Sequence, residues 1–205
     1  MERPGRKKNL VTRRDFLKSV GGSAAGLGAV PRALGRPRVD LPAQLETADR
    51  HRIALTVNGR KISLVVETRE TLLEILRDRL RLTGAKRVCN RGECGGCTVL
   101  LDGRPVYACH MLAVQAAGRE VRTVEGLAIH GALHPLQKAF IDKDGYQCGY
   151  CTPGFLMASA ALLERTKAPT AEEIRAALSG NLCRCGNYQK IQAAVAAAAE
   201  EMRRG

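Results

Sequence analysis

Eight cysteines carry the chemistry this sequence can do, and they fall into two groups. The first reads Cys89-x4-Cys94-x2-Cys97, with Cys109 following after eleven more residues. Thiolates are soft ligands that suit iron–sulfur clusters, zinc and copper. The C-x4-C-x2-C spacing is that of a plant-type [2Fe–2S] site, in which four thiolates hold two irons. Zinc sites more often show paired C-x2-C units. The loop between the ligands, Arg91-Gly92-Glu93-Cys94-Gly95-Gly96-Cys97, is glycine-rich. Glycine lets backbone wrap closely, so its N–H groups can point at sulfur and help set a potential. The second group pairs Cys148-Gly149-Tyr150-Cys151 with Cys183-Arg184-Cys185. Four sulfurs from two loops could hold a second cluster. A C-x-x-C unit alone is equally at home in a thioredoxin-like redox site or a zinc site. A C-x-C unit is unusual for zinc.

The elements around the first group read as a small sheet with one helix. Ile53, Leu55 and Val57 alternate on one face, and Ile62, Leu64 and Val66 on another, with Asn58-Gly59 between them. That dipeptide between alternating runs is a strong hairpin signal. Thr71-x-x-Glu74 forms a capping box ahead of a helical stripe of Leu72, Leu73, Leu76 and Leu80. Asp102-Gly103 marks a second hairpin between Cys97 and Cys109.

Beyond Gly126 the alternation stops and alanine-rich helical stretches begin, which places a domain boundary near 125. Pro135 suits a first helical turn, with Leu136, Phe140 and Ile141 behind it. A second helix follows Thr152-Pro153-Gly154 and runs to about Leu163. A third is capped by Thr170 and Glu173 and ends near Ser179-Gly180, and a fourth spans Tyr188 to Met202. Four helices of this length suggest a small bundle. Both units of the second cysteine group then sit in loops or at helix starts, where the helix N-terminus stabilises thiolate charge.

The N-terminus reads as an address. Thr12-Arg13-Arg14-Asp15-Phe16-Leu17-Lys18 is followed by a weakly apolar, Gly/Ala-rich run from Ser19 to Val30. A positive region and then a short apolar one is the layout of an export signal. Ala33-Leu34-Gly35 is a poor cleavage site, and residues 36–50, with Pro37 and Pro42, read as a linker.

Composition narrows the rest. The chain has 205 residues, 45% apolar and 26% charged, which excludes a wholly disordered chain. No apolar run reaches the roughly 18 residues of a membrane-spanning helix. Aromatics are 3% with no Trp, which argues against a base-stacking single-strand binder. The formal charge of +13 is concentrated at the start of the chain: residues 1–39 hold ten Lys/Arg against Glu2 and Asp15. The remainder is mildly basic with mixed signs, so nucleic-acid binding is not expected. His51, His110, His130 and His134 have no ligand spacing among themselves.

The motifs together resemble a known family. Cys89-x4-Cys94-Gly95-Gly96-Cys97-Thr98-Val99 and Tyr107-Ala108-Cys109 are similar to the first half of the iron–sulfur subunit of molybdenum hydroxylases. Gln147-Cys148-Gly149-Tyr150-Cys151-Thr152-Pro153-Gly154 and Gly180-Asn181-Leu182-Cys183-Arg184-Cys185 are similar to the second half. This is the xanthine dehydrogenase/aldehyde oxidoreductase family, and the resemblance runs from about residue 51 to 200. The paired arginines resemble a twin-arginine signal, a receptor-read address for export of folded proteins.

The resemblance implies an α+β chain: a twin-arginine signal at 1–35, a linker at 36–50, a β-grasp [2Fe–2S] ferredoxin domain at 51–125 and a helical [2Fe–2S] domain at 126–205. It implies Cys89, Cys94, Cys97 and Cys109 as ligands of one cluster, and Cys148, Cys151, Cys183 and Cys185 as ligands of the other. It places Gln147 and Cys185 against the pterin of a molybdopterin cofactor, as the cytosine dinucleotide, held by a large partner subunit. That subunit would oxidise an aldehyde or N-heterocycle with water. Electrons would pass through this chain to FAD on a further subunit or to a carrier such as a cytochrome. No general base or nucleophile for the hydroxylation is expected here. The signal implies the twin-arginine translocase as a further partner and the periplasm as destination. There are two departures from the family: Gly186-Asn187-Tyr188 where Thr-Gly-Tyr is common, and His110 where an apolar residue is usual. The first could alter the contact to the cofactor dinucleotide, and the second the outer cluster. Competing readings are a disulfide-stapled secreted binding module, a zinc-binding interaction protein and a freestanding ferredoxin-like carrier.

Overall fold

The computed structural model describes residues 12–15, 18, 49–128 and 131–204. The chain divides into two compact units, Met1–Glu46 and Thr47–Gly205. In the first unit, Thr12 caps a helical turn: its hydroxyl accepts the Asp15 N–H at 3.2 Å. Arg13 and Arg14 follow it and are exposed. The apolar run from Ser19, the Ala33-Leu34-Gly35 segment, most of the linker and His130 lie outside the described residues.

In the second unit, five strands form one mixed sheet in the order β2-β1-β5-β3-β4. Strands β1 (Arg50–Val57) and β2 (Arg60–Glu67) make the first expected hairpin, with Ile53 opposite Leu64 and Leu55 opposite Ile62. Its turn has φ of 49° at Asn58 and 78° at Gly59, the two positive values that a two-residue hairpin matching sheet twist requires. Strands β3 (Thr98–Leu101) and β4 (Arg104–Tyr107) make the second hairpin. The three-residue β5 (Glu120–Arg122) inserts between them, parallel to β1 and antiparallel to β3.

Helix α1 starts as Leu72–Glu74 behind the expected capping box, with Thr71 Oγ1 accepting the Glu74 N–H at 3.2 Å. It then widens into a π-helical stretch, Ile75–Arg79. The expected stripe still faces the core, with Leu80 packed against its edge. Leu72, Leu73, Ile75 and Leu76 are fully buried, while the wider turn leaves Leu80 only half-buried.

Four helices follow: α2 (Pro135–Asp142), α3 (Thr152–Arg165), α4 (Ala171–Leu178) and α5 (Tyr188–Arg204). Strand alternation splits β3 between two cores. Val99 and Leu101 join the core beneath α1, whereas Leu100 joins the helical core. Helix α3 lies against β3 and is buried from Gly154 to Leu163. No helix among the described residues is long and apolar enough to cross a membrane.

Candidate functional site

The first cysteine loop runs from the end of α1 to the start of β3. Its ends are pinned by backbone bonds: Lys86 N–H to Gly96 O at 2.9 Å, and Ala108 N–H to Cys97 O at 3.3 Å. These bring Cys109, at the end of the second hairpin, against the loop. The Gly92 N–H donates to Cys109 Sγ at 3.3 Å, and the Glu93 N–H to Cys89 Sγ at 3.4 Å. The Cys89 thiol touches that of Cys94, and the Cys97 thiol that of Cys109. The four expected residues thus gather in one place.

The second group is built the same way. Cys151 sits at the start of α3, and Cys183 and Cys185 occupy the turn between α4 and α5. The Cys148 thiol touches that of Cys185, and the Cys151 thiol that of Cys183. Tyr188 and Asn187 hold this turn. The Tyr188 hydroxyl accepts the Cys183 N–H at 2.9 Å. Asn187, one of the departures from the family, donates its carboxamide to Asp144 O at 2.8 Å and so ties the turn to the segment leading to Cys148. Cys151 is half-buried and Cys183 buried, whereas Cys148 and Cys185 are exposed, as is Gln147. One edge of this group therefore faces outward.

The electrostatics lower some of these thiols and raise others. Burial raises the Cys89 thiol, but N–H groups of Arg91, Glu93 and Cys94 bring it down from 9.0 to about 6. Burial, with the neighbouring Cys109 and Cys94 sulfurs, pushes Cys97 up to about 12. Burial also pushes Cys151 up to about 12, aided by Cys183 and Cys148. Cys183 is lowered: burial opposes the shift, but N–H groups of Asn187, Cys185 and Gly186 outweigh it. Cys148 is lowered, first by the Tyr150 N–H. A cation placed among these sulfurs supplies the charge that makes all of them thiolates.

This donor set fits a two-iron cluster at each group. All eight thiols are free of disulfides. Among the described residues, no three Cys, His, Asp or Glu side chains are placed to hold a single metal ion. Four free thiols at each group match the four cysteines that hold two irons. The Thr152 hydroxyl, next to Cys151 in the chain, is buried and has no hydrogen-bond partner among the described residues, which leaves a spare donor there.

His134 and His51 stand apart from this chemistry. His134 caps α2 through Nδ1, which accepts the Leu136 N–H at 3.2 Å. His51 lies 3.0 Å from Thr68 Oγ1. His110 is exposed, with its ring packed over Gly92.

The two groups share one junction, which the sequence reading did not foresee. Leu182 N–H donates to Cys94 O at 3.0 Å. The buried Asn181 carboxamide donates to Gly95 O at 3.0 Å and lies 3.3 Å from Thr98 Oγ1. The Tyr107 hydroxyl donates to Gly180 O at 2.8 Å.

Comparison with known proteins agrees with this geometry. Residues 55–128 match the model of a 2Fe-2S iron-sulfur cluster binding domain, and residues 123–196 that of a [2Fe-2S] binding domain. The chain is 43% identical to the aldehyde oxidoreductase iron-sulfur-binding subunit PaoA of Escherichia coli K12, over 94% of this chain and 90% of that one. It is 52% identical to the nicotine 6-hydroxylase small subunit of Paenarthrobacter nicotinovorans, over 72% of this chain and 89% of that one. Among solved structures, quinoline 2-oxidoreductase from Pseudomonas putida 86 superposes with a TM-score of 0.72 at 44% identity, covering 76% of this chain and 98% of that chain.

Proposed function

Since the chain belongs to the iron–sulfur subunits of the xanthine dehydrogenase and aldehyde oxidoreductase family, we propose that it is the electron-transfer subunit of a periplasmic molybdenum hydroxylase. Cys89, Cys94, Cys97 and Cys109 would hold one [2Fe–2S] cluster, and Cys148, Cys151, Cys183 and Cys185 the other. When bound, these clusters supply one-electron carriers between a molybdopterin cofactor on the large subunit and FAD or an external carrier.

The chain's own residues do the positioning. Backbone N–H groups of Gly92 and Glu93 solvate sulfur at the first site, and Tyr188 and Asn187 fix the turn of the second. Gln147, Cys148 and Cys185 form the exposed edge of the second site, which suits approach of the partner's pterin. The observation that carries this reading is the gathering of eight free thiols into two groups of four.

The export part of the reading rests on Arg13 and Arg14, which stand exposed behind the Thr12 cap. The alignment with the Escherichia coli subunit covers 94% of this chain and so reaches into the same N-terminal segment. The large subunit would cross the membrane as a preassembled passenger of this address.

Iron and acid-labile sulfide in the purified full chain test the proposal. About four of each per chain is the expected result. Zinc in place of iron, or a colourless chain after anaerobic reconstitution, would overturn it.

A further inference from the structure

The junction between the cysteine groups has no slack. Gly95 lies between Cys94 and Cys97, with φ of 68°, and a Cβ there would meet Asn181 Nδ2 at 2.5 Å and Gly180 O at 2.6 Å. Gly154, three residues after Cys151, approaches from the other side, and its Cβ would meet Gly95 O at 2.2 Å. Backbone from the first loop, the start of α3 and the α4–α5 turn thus converges on one point. Asn181 fills that point at 5% exposure, and its carboxamide donates to Gly95 O and Thr98 Oγ1.

The bonded atoms belong to the stretch whose shape is set by Cys94 and Cys97 at either end. An unclosed first loop would leave a buried carboxamide unpaired, which is costly. Asn181 is two residues from Cys183 and four from Cys185, so its position fixes the approach of both to Cys148 and Cys151.

We propose that Asn181 is a positioning residue that makes filling of the second cluster site depend on closure of the first. This rests on the two-cluster reading above. By linkage, a filled second site also holds the first more tightly.

The test uses the full chain, stripped of iron and refilled anaerobically with limiting ferrous iron and sulfide. The two reduced-cluster signals are followed by electron paramagnetic resonance and assigned with Cys148→Ser. In the unaltered chain the first-site signal should lead and the second follow. Asn181→Asp keeps the shape but replaces the donor with an acceptor. It should erase that order and lower by about tenfold the chelator concentration that empties the second site. Asn181→Ala should do the same. A space-filling role would instead spare Asp and penalise Ala. Tyr107→Phe, which removes only the neighbouring bond to Gly180, should keep the order.

Independent filling of the two sites in the unaltered chain, or Asn181→Asp behaving as that chain does, would overturn the inference and leave the two-cluster reading standing. Absence of both signals from the unaltered chain would overturn that reading, and the inference with it.

Discussion

The backbone N–H of Leu182 donates to the carbonyl oxygen of Cys94 across 3.0 Å. One hydrogen bond therefore joins a residue of the first cysteine group to the chain neighbour of Cys183 in the second. Leu182 is 55% exposed, and its contribution at this junction is its backbone.

Leu182→Pro should test that contribution, because proline has no N–H and restricts Asn181 before it. Losing the bond and leaving Cys94 O unpaired should cost about 1–3 kcal/mol. At roughly 2–4 °C per kcal/mol for a chain of this size, calorimetry should resolve the shift in Tm. Leu182→Ala should stay close to the unaltered chain. Equal melting of the two variants would show that the bond contributes nothing.

Gly154→Ala should be more harmful than a surface substitution. Its Cβ would meet backbone, Gly95 O at 2.2 Å, rather than a side chain that can swing away. Overpacking of this kind costs about 1–3 kcal/mol, and here it should also reduce iron retention at both sites. Gly103→Ala at the tip of the β3–β4 hairpin meets nothing within 4 Å. It should show the strain of its positive φ, with iron content unchanged. Full iron content in Gly154→Ala would contradict the tight junction.

His134 gives a pH dependence whose sign is fixed. Burial disfavours its cation, and Arg122 adds to the effect against a smaller opposite pull from Glu164, so it titrates below its ordinary 6.5. As pH falls, the unfolded chain takes up this proton first. The stability contributed by neutral His134 is complete above pH 6.5 and is lost as pH drops below that value toward the folded one. Protonation also ends the acceptance of the Leu136 N–H at Nδ1. His134→Asn, which caps without titrating, should flatten the fall in melting temperature below pH 6.5. The same slope in both proteins would contradict the assignment.

Replacing Arg13 and Arg14 by Lys should strand this chain and the large subunit together in the cytoplasm, as read by fractionation. A large subunit that still reaches the periplasm would contradict the passenger arrangement.

The sequence made the local structure readable. Asn58-Gly59 and Asp102-Gly103 announce turns that need positive φ, and Thr71 and Thr170 cap their helices as their spacing implies. It did not announce β5. That strand has three residues and one buried side chain, Val121, too few for alternation, and it pairs with strands distant in the chain. The widening of α1 at Ile75 is equally silent in the residue pattern. Within the site, the cysteines are legible because their spacing is local. Asn181 is not, because its partners Gly95 and Thr98 lie more than eighty positions away in the chain. Asn187 and Tyr188 stand out in the sequence as a departure from the family, but their part in holding the turn does not: it is done by a hydroxyl and a carboxamide on backbone atoms, which no motif spacing encodes.

The most direct measurement is the electron paramagnetic resonance spectrum of the reduced full chain, integrated against protein concentration. Two distinct [2Fe–2S] signals, each near one spin per chain, are the predicted result. One signal alone, or none from a chain loaded with zinc, would contradict the assignment of the eight cysteines to two clusters.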